Sequence, residues 1–142
     1  MKIDKFERTV HLYNNLIRSY IRHKLVDYDL NENNYYYVLI ICEKHEMTQT
    51  ELNQIVYRQQ SIITKAVQFL EKNDWLTVDI DVNDRRRRII KPTEKAINNY
   101  DALKRIVDDA TQYARKGLSD DEFAQLNSLI TKAVHAMDDQ YL

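Results

Sequence analysis

A single glycine, Gly117, and a single proline, Pro92, serve all 142 residues of this chain. Loops that cradle phosphates, in nucleotide or dinucleotide sites, need several glycines so that backbone can approach the ligand closely. An all-β fold needs many tight turns. The composition argues against both. One cysteine, Cys42, excludes an internal disulfide and a multi-cysteine metal site. With 44% hydrophobic and 30% charged residues, the chain can bury one core, as expected of a single domain over 1–142. The longest apolar run, Tyr35 to Cys42, is eight residues and too short to cross a bilayer. The segment MKIDKFERTVH has no apolar signal core. The expectation is a cytoplasmic protein that does not meet the membrane.

Apolar periodicity lays out the helices. Phe6, Val10, Tyr13, Ile17, Tyr20/Ile21 and Leu25 form one stripe at three- and four-residue spacing. Asn31 is placed to cap a second, almost wholly apolar helix through Val38–Cys42, with Leu30 and Tyr35 as its hydrophobic staple. Thr48 and Glu51 fit a capping box, and Met47 with Leu52 a staple, ahead of a short helix. Another helix follows over about 60–73, with Ile63, Ala66/Val67 and Leu70 on one face. Thr93 can cap a long helix, and Gly117 is the natural break after it. Ser119 and Glu122 then open a last helix that carries Phe123, Leu126, Ile130, Met137 and Tyr141.

Between these helices the period changes to two. Leu76, Val78, Ile80 and Val82 alternate with polar residues over 75–82, which predicts a strand. Asn83-Asp84 is a turn signal, and 86–91 would return before Pro92. The order is helix, helix, short helix, helix, hairpin, helix, helix, which is a mainly α fold, a winged helix–turn–helix with a two-stranded wing. Charge follows this layout. Residues 57–95 hold nine basic and six acidic side chains, whereas 1–56 and 96–142 are net acidic. The excess peaks at Arg85–Arg88, the tip of the hairpin. An α-helix fits the major groove of duplex DNA, and a basic hairpin beside it can reach the backbone or minor groove.

The segments MTQTELNQIVYRQQSIITKAVQFLEKNDWL and VNDRRRRIIKPTEKA, within 47–96, resemble the MarR family of bacterial transcriptional regulators, with the SarA- and MgrA-like regulators a candidate closer group. Ile63, Thr64, Lys65, Val67, Leu70 and Glu71 match the family's recognition-helix pattern, and Asp84, Arg86 and Thr93 its wing. Four positions depart from the pattern. Asp74 and Ala96 stand where glycines are usual, Pro92 replaces a leucine, and Gln59 replaces a serine or threonine. The resemblance implies a winged-helix lobe over 31–92 and dimerisation helices over 1–30 and 93–142. It implies a homodimer that represses by covering promoter DNA.

On that reading the recognition helix presents Gln60, Ser61, Ile62, Thr64, Lys65 and Gln68. Gln can pair with adenine, Ser and Thr with several bases or phosphate, Ile62 with a thymine methyl, and Lys65 with phosphate or guanine. In the wing (about 81–91), Arg86 is the first candidate to grip DNA, followed by Arg85 and Arg88, with Asp84 orienting Arg86 or the loop. Side chains alternate on a strand, so Arg85, Arg87 and Arg88 cannot all face the same way. The first helix and the last two have stripes too long for one small globule to cover, as expected of a two-fold dimer. Its operator would be palindromic, with half-sites roughly 34 Å apart.

The remaining candidates are less specific. His11, His23, His45 and His135 contain no i,i+4 pair, so no metal or cofactor is called for, although some members of the family resemble zinc sensors. Cys42 could sense oxidants, as in some relatives. The consecutive Tyr35, Tyr36 and Tyr37 point in different directions, and family members often bind small aromatic ligands between the helices and the lobe. No nucleophile–base pair, carboxylate dyad or metal triad is present at diagnostic spacing, so the chain is not expected to be an enzyme. The rival reading is a winged helix that binds a partner protein and not DNA.

Overall fold

The computed structural model describes residues 4–138. The elements are α1 (Lys5–Lys24), a 3-10 turn (Val26–Tyr28), α2 (Tyr35–Lys44), β1 (Met47–Thr48), α3 (Gln49–Val56), α4 (Gln60–Lys72), β2 (Leu76–Ile80), β3 (Arg88–Pro92), α5 (Glu94–Ala114) and α6 (Asp120–Met137). Tyr141, which the periodicity assigns to the last helix, lies outside the described residues.

Short-range polar chemistry starts most of these helices. Thr48 Oγ1 accepts from the Glu51 amide at 3.1 Å, and the Glu51 carboxylate accepts in return from the Thr48 amide. Ser119 and Glu122 form the same reciprocal box at the head of α6. Thr93 accepts from the Ala96 amide, and Asp4 from the amides of Phe6 and Glu7. Each such cap contributes about 1 kcal/mol. Asn31 behaves differently from expectation. Its side chain accepts from the amides of Asn33 and Asn34, closing a turn, and α2 begins only at Tyr35. The reason is Asn34, whose side chain accepts from the Asn31 amide and completes an asparagine box one turn early.

The sheet has three antiparallel strands in the order β1-β3-β2, where the sequence predicts two. Met47 pairs with Ile90 and Thr48 with Ile89. Two residues carry no periodicity of their own, so β1 exists only because β3 offers an edge. The wing strands are also shorter and later than expected. Their register runs from Leu76↔Pro92 to Ile80↔Arg88, leaving 81–87 as the loop.

The core is centred on α2. Tyr35, Tyr37, Val38, Leu39, Ile40, Ile41 and Cys42 are all buried, between α5 and the β3 side of the sheet. Leu52 of α3, Ile63, Val67 and Leu70 of α4, Trp75, Ile90, and Leu103 and Ile106 of α5 complete it. Burying each large aliphatic side chain is worth roughly 1.5–3 kcal/mol. Trp75 is sealed by Lys95, whose Nζ lies 4.3 Å from the ring centroid and donates to the Asn73 carbonyl.

Four residues adopt positive φ, and none is glycine: Asp29, His45, Tyr57 and Asp74. Asp74, at φ 65°, stands where the family pattern has glycine, and the Thr93 hydroxyl donates to its carbonyl at 2.6 Å. Gly117 does lie in the break between α5 and α6, but its φ is not positive and an added Cβ would meet open space. The break comes from the Ser119 cap rather than from glycine's freedom.

Candidate nucleic-acid interface

α4 presents two faces. Ile63, Val67 and Leu70 face the core, while Gln60, Ser61, Ile62, Lys65 and Gln68 are exposed. The residue before the helix, Gln59, supplies no side-chain cap, and only its backbone carbonyl accepts from Ile62 and Ile63. Thr64 is half-buried between the faces, where its hydroxyl oxygen accepts from Gln49 Nε2 at 3.1 Å. Its own O–H stays available as a donor, and Gln49 fixes its direction. Sequence patterning missed Gln49 because the partners lie in different helices.

The wing loop is braced by two aspartates. Asp81 donates its amide to the Arg87 carbonyl, accepts from the Asn83 amide, and pairs with Arg87 Nη1 at 3.7 Å. Asp84 accepts from both the amide and Nε of Arg86, at 3.1 and 3.4 Å. Arg85, Arg86 and Arg87 therefore belong to the loop, and strand alternation first applies at Arg88. This corrects the strand placement of the arginines. Arg85, Arg86 and Arg88 are all exposed, with the Arg86 side chain at 93%. Arg87 is exposed as well but pairs with an Asp81 side chain that is itself largely covered. β2 packs against α4, so the arginine tip and the polar face of α4 belong to one unit.

Two cavities adjoin α1 and α2, the first reaching the turn between α3 and α4 through Arg58. One, of about 370 Å³, is lined by Arg18, Tyr35, Tyr36, Tyr37 and Arg58 among others. The other, of about 240 Å³, lies among Ile17, Val107, Ala110 and Phe123 and shares Arg18 and Tyr35 with the first. Burial raises the Tyr35 phenol, and the neighbouring Arg18 opposes the shift. The Tyr37 hydroxyl is buried with no hydrogen-bond partner.

Cys42 is buried, and desolvation pushes its thiol up to about 11. It holds almost no thiolate near neutral pH, which opposes a role in oxidant sensing. Among the described residues no three His, Cys, Asp or Glu side chains gather in a way that could hold a metal ion. No helix among them is long and apolar enough to cross a membrane.

The MarR family model matches residues 30–87, from just before α2 to the wing tip. Over that stretch the chain is similar to the MarR family. The chain is 24% identical over 104 residues to an uncharacterized HTH-type transcriptional regulator, YybA, of Bacillus subtilis, covering 73% of this chain and 69% of that one. The MarR protein from Peptoclostridium difficile superimposes with a TM-score of 0.90 at 20% identity, over 99% of this chain and 94% of that one. A Listeria monocytogenes protein crystallised with 26mer DNA superimposes with a TM-score of 0.84 at 23% identity, over 99% and 93% of the two chains. These likenesses establish the MarR fold along the whole described chain.

Proposed function

We propose that this protein is a MarR-family regulator, a homodimer that binds DNA, reads a palindromic operator and represses by covering promoter DNA. One observation carries the reading. The exposed polar face of α4 and the tip formed by Arg85, Arg86 and Arg88 sit on one braced unit, in a fold shared with a protein crystallised with DNA. Gln60, Ser61, Ile62, Thr64, Lys65 and Gln68 enter the major groove. Arg86 reaches the adjacent minor groove or backbone, held by Asp84, and Arg85 and Arg88 add phosphate contacts. A partner of this kind places the protein in the cytoplasm.

Residues 31–92 are the DNA-binding lobe, and 1–30 with 93–142 form the dimer. Support comes from the apolar side chains that the terminal helices leave uncovered: Phe6, Val10, Leu12 and Leu16 on α1, and Leu129, Ile130 and Met137 on α6. A small aromatic anion, with its charge at Arg18 and its ring among Tyr35, Val107 and Phe123, would act as effector by shifting the spacing of the two recognition helices.

The test is fluorescence anisotropy of wild type and Arg86→Ala on duplexes selected from a random pool, at two salt concentrations. The expected result is a selected palindrome and salt-steep wild-type binding that Arg86→Ala weakens. A folded, dimeric wild type that selects nothing would transfer the reading to a winged helix that binds a partner protein.

A further inference from the structure

Sequence patterning passes over the turn between α3 and α4, yet the structure opens a concavity there. Tyr57, Arg58, Gln59 and Ile62 line an open hollow of about 600 Å³ at the first turn of α4. We infer that this hollow is a second DNA contact surface, which receives the sugar–phosphate backbone of the strand flanking the base pairs read by α4. The inference rests on the proposed DNA-binding role and extends it to residues outside the recognition face and wing.

Charge is the first argument. Arg58 is the one charged residue among the four, and it makes no hydrogen bond or ion pair with any described residue. Arg58 is thus left without a bonded carboxylate, for Glu32, which lines a cavity with it, is paired with Arg22. Composition is the second. A phosphate alone calls for cations and amide donors, but a deoxyribose beside it presents a flat apolar edge. Tyr57 and Ile62 supply apolar surface next to Arg58 and the Gln59 amide, which matches that alternation.

Continuity is the third argument. Ile62 belongs both to the hollow and to the exposed face of α4, so a duplex docked on that face runs into the hollow without a gap. The backbone of Tyr57 is the fourth. Tyr57 holds φ 51° and ψ 65°, a left-handed position that glycine or asparagine occupies at less cost, and its side chain is 72% exposed. A bulky ring kept at such a position, outside the core, points to a surface role.

The test measures operator binding across a salt series for wild type, Tyr57→Asn, Tyr57→Phe, Arg58→Ala and Arg86→Ala, with circular dichroism and sedimentation on each. Tyr57→Asn is expected to weaken binding roughly tenfold, the scale of the apolar area that the ring buries against deoxyribose, with the salt slope unchanged. Its thermal midpoint should hold or rise, because asparagine suits the left-handed backbone better. Tyr57→Phe keeps the ring and should lose only a small part of the affinity. Arg58→Ala should lower the slope of log affinity against log salt by about one. Wild-type affinity in Tyr57→Asn, or an unchanged slope in Arg58→Ala, while Arg86→Ala still weakens binding, would overturn the second surface alone. Absence of duplex binding by wild type would overturn the DNA-binding reading and the second surface together.

Discussion

α2 and α6 are both apolar helices, and they meet opposite fates. Seven of the ten residues of α2 are buried, and none of α6 is. α6 nevertheless has the better local start, a complete Ser119–Glu122 box, while Asn34, the residue before α2, gives that helix no side-chain cap. Arg115 also pairs with Asp120 at the head of α6 and lies 4.5 Å from the Phe123 ring centroid. One helix is thus held by its neighbours and the other by its own termini. α2 is enclosed by one core that α1, the winged lobe and α5 build together, whereas α6 leaves Leu129 64% exposed.

That contrast can be broken from either side. Ile41→Ala, deep in α2, should cost about 3 kcal/mol of unfolding free energy by chemical denaturation, independent of protein concentration. Ile130→Glu, on the open face of α6, should leave the lobe folded but convert a dimer to a monomer in sedimentation. Operator affinity should then fall roughly 100-fold, since two half-sites would no longer be engaged at once. If Ile130→Glu unfolds the lobe as Ile41→Ala does, the two helices are not separable in this way.

Smaller effects sharpen the picture. Ser119→Ala should lower helix stability by about 1 kcal/mol, and Gly117→Ala, with open space around the new Cβ, should not lower it at all. Hydrogen bonds from Ser119 hold the Glu122 carboxyl below its ordinary range. Their stabilisation is therefore present at neutral pH and lost as pH falls through that lowered value. An acid titration followed by circular dichroism should show this step reduced in Ser119→Ala, which keeps the backbone donor to Glu122, and absent in Glu122→Ala. Cys42 has the opposite sign. Its folded thiol titrates at about 11, so stability is full below the ordinary thiol range and declines as pH rises towards 11. Cys42→Ala should flatten that alkaline decline, and iodoacetamide at neutral pH should label wild type slowly unless it is unfolded.

Much of the candidate site was readable because its signals are short-range. The apolar face of α4 follows from Ile63, Val67 and Leu70 at helical spacing, which leaves Gln60, Ser61, Lys65 and Gln68 outside by geometry. The Asp84–Arg86 relation spans two residues and follows the wing pattern. The orientation of Arg87 was not readable, because it depends on Asp81 across the loop. Nor was the link from Gln49 to Thr64, fifteen residues apart. Left-handed backbone at Tyr57 leaves no compositional trace when the residue is neither glycine nor asparagine.

By itself the sequence determined where the helices begin and which side of each is apolar. Capping bonds at Thr48, Thr93 and Ser119 close within three residues, and side-chain periodicity is a property of one segment. The tertiary structure alone decided which apolar sides are covered and that a third strand exists. Met47 pairs with Ile90, far along the chain, and two residues cannot announce a strand until the folded lobe brings that edge beside them. Only the folded chain likewise shows that Leu129 and Ile130 of α6 stay exposed, because periodicity marks an apolar side without saying whether another element reaches it.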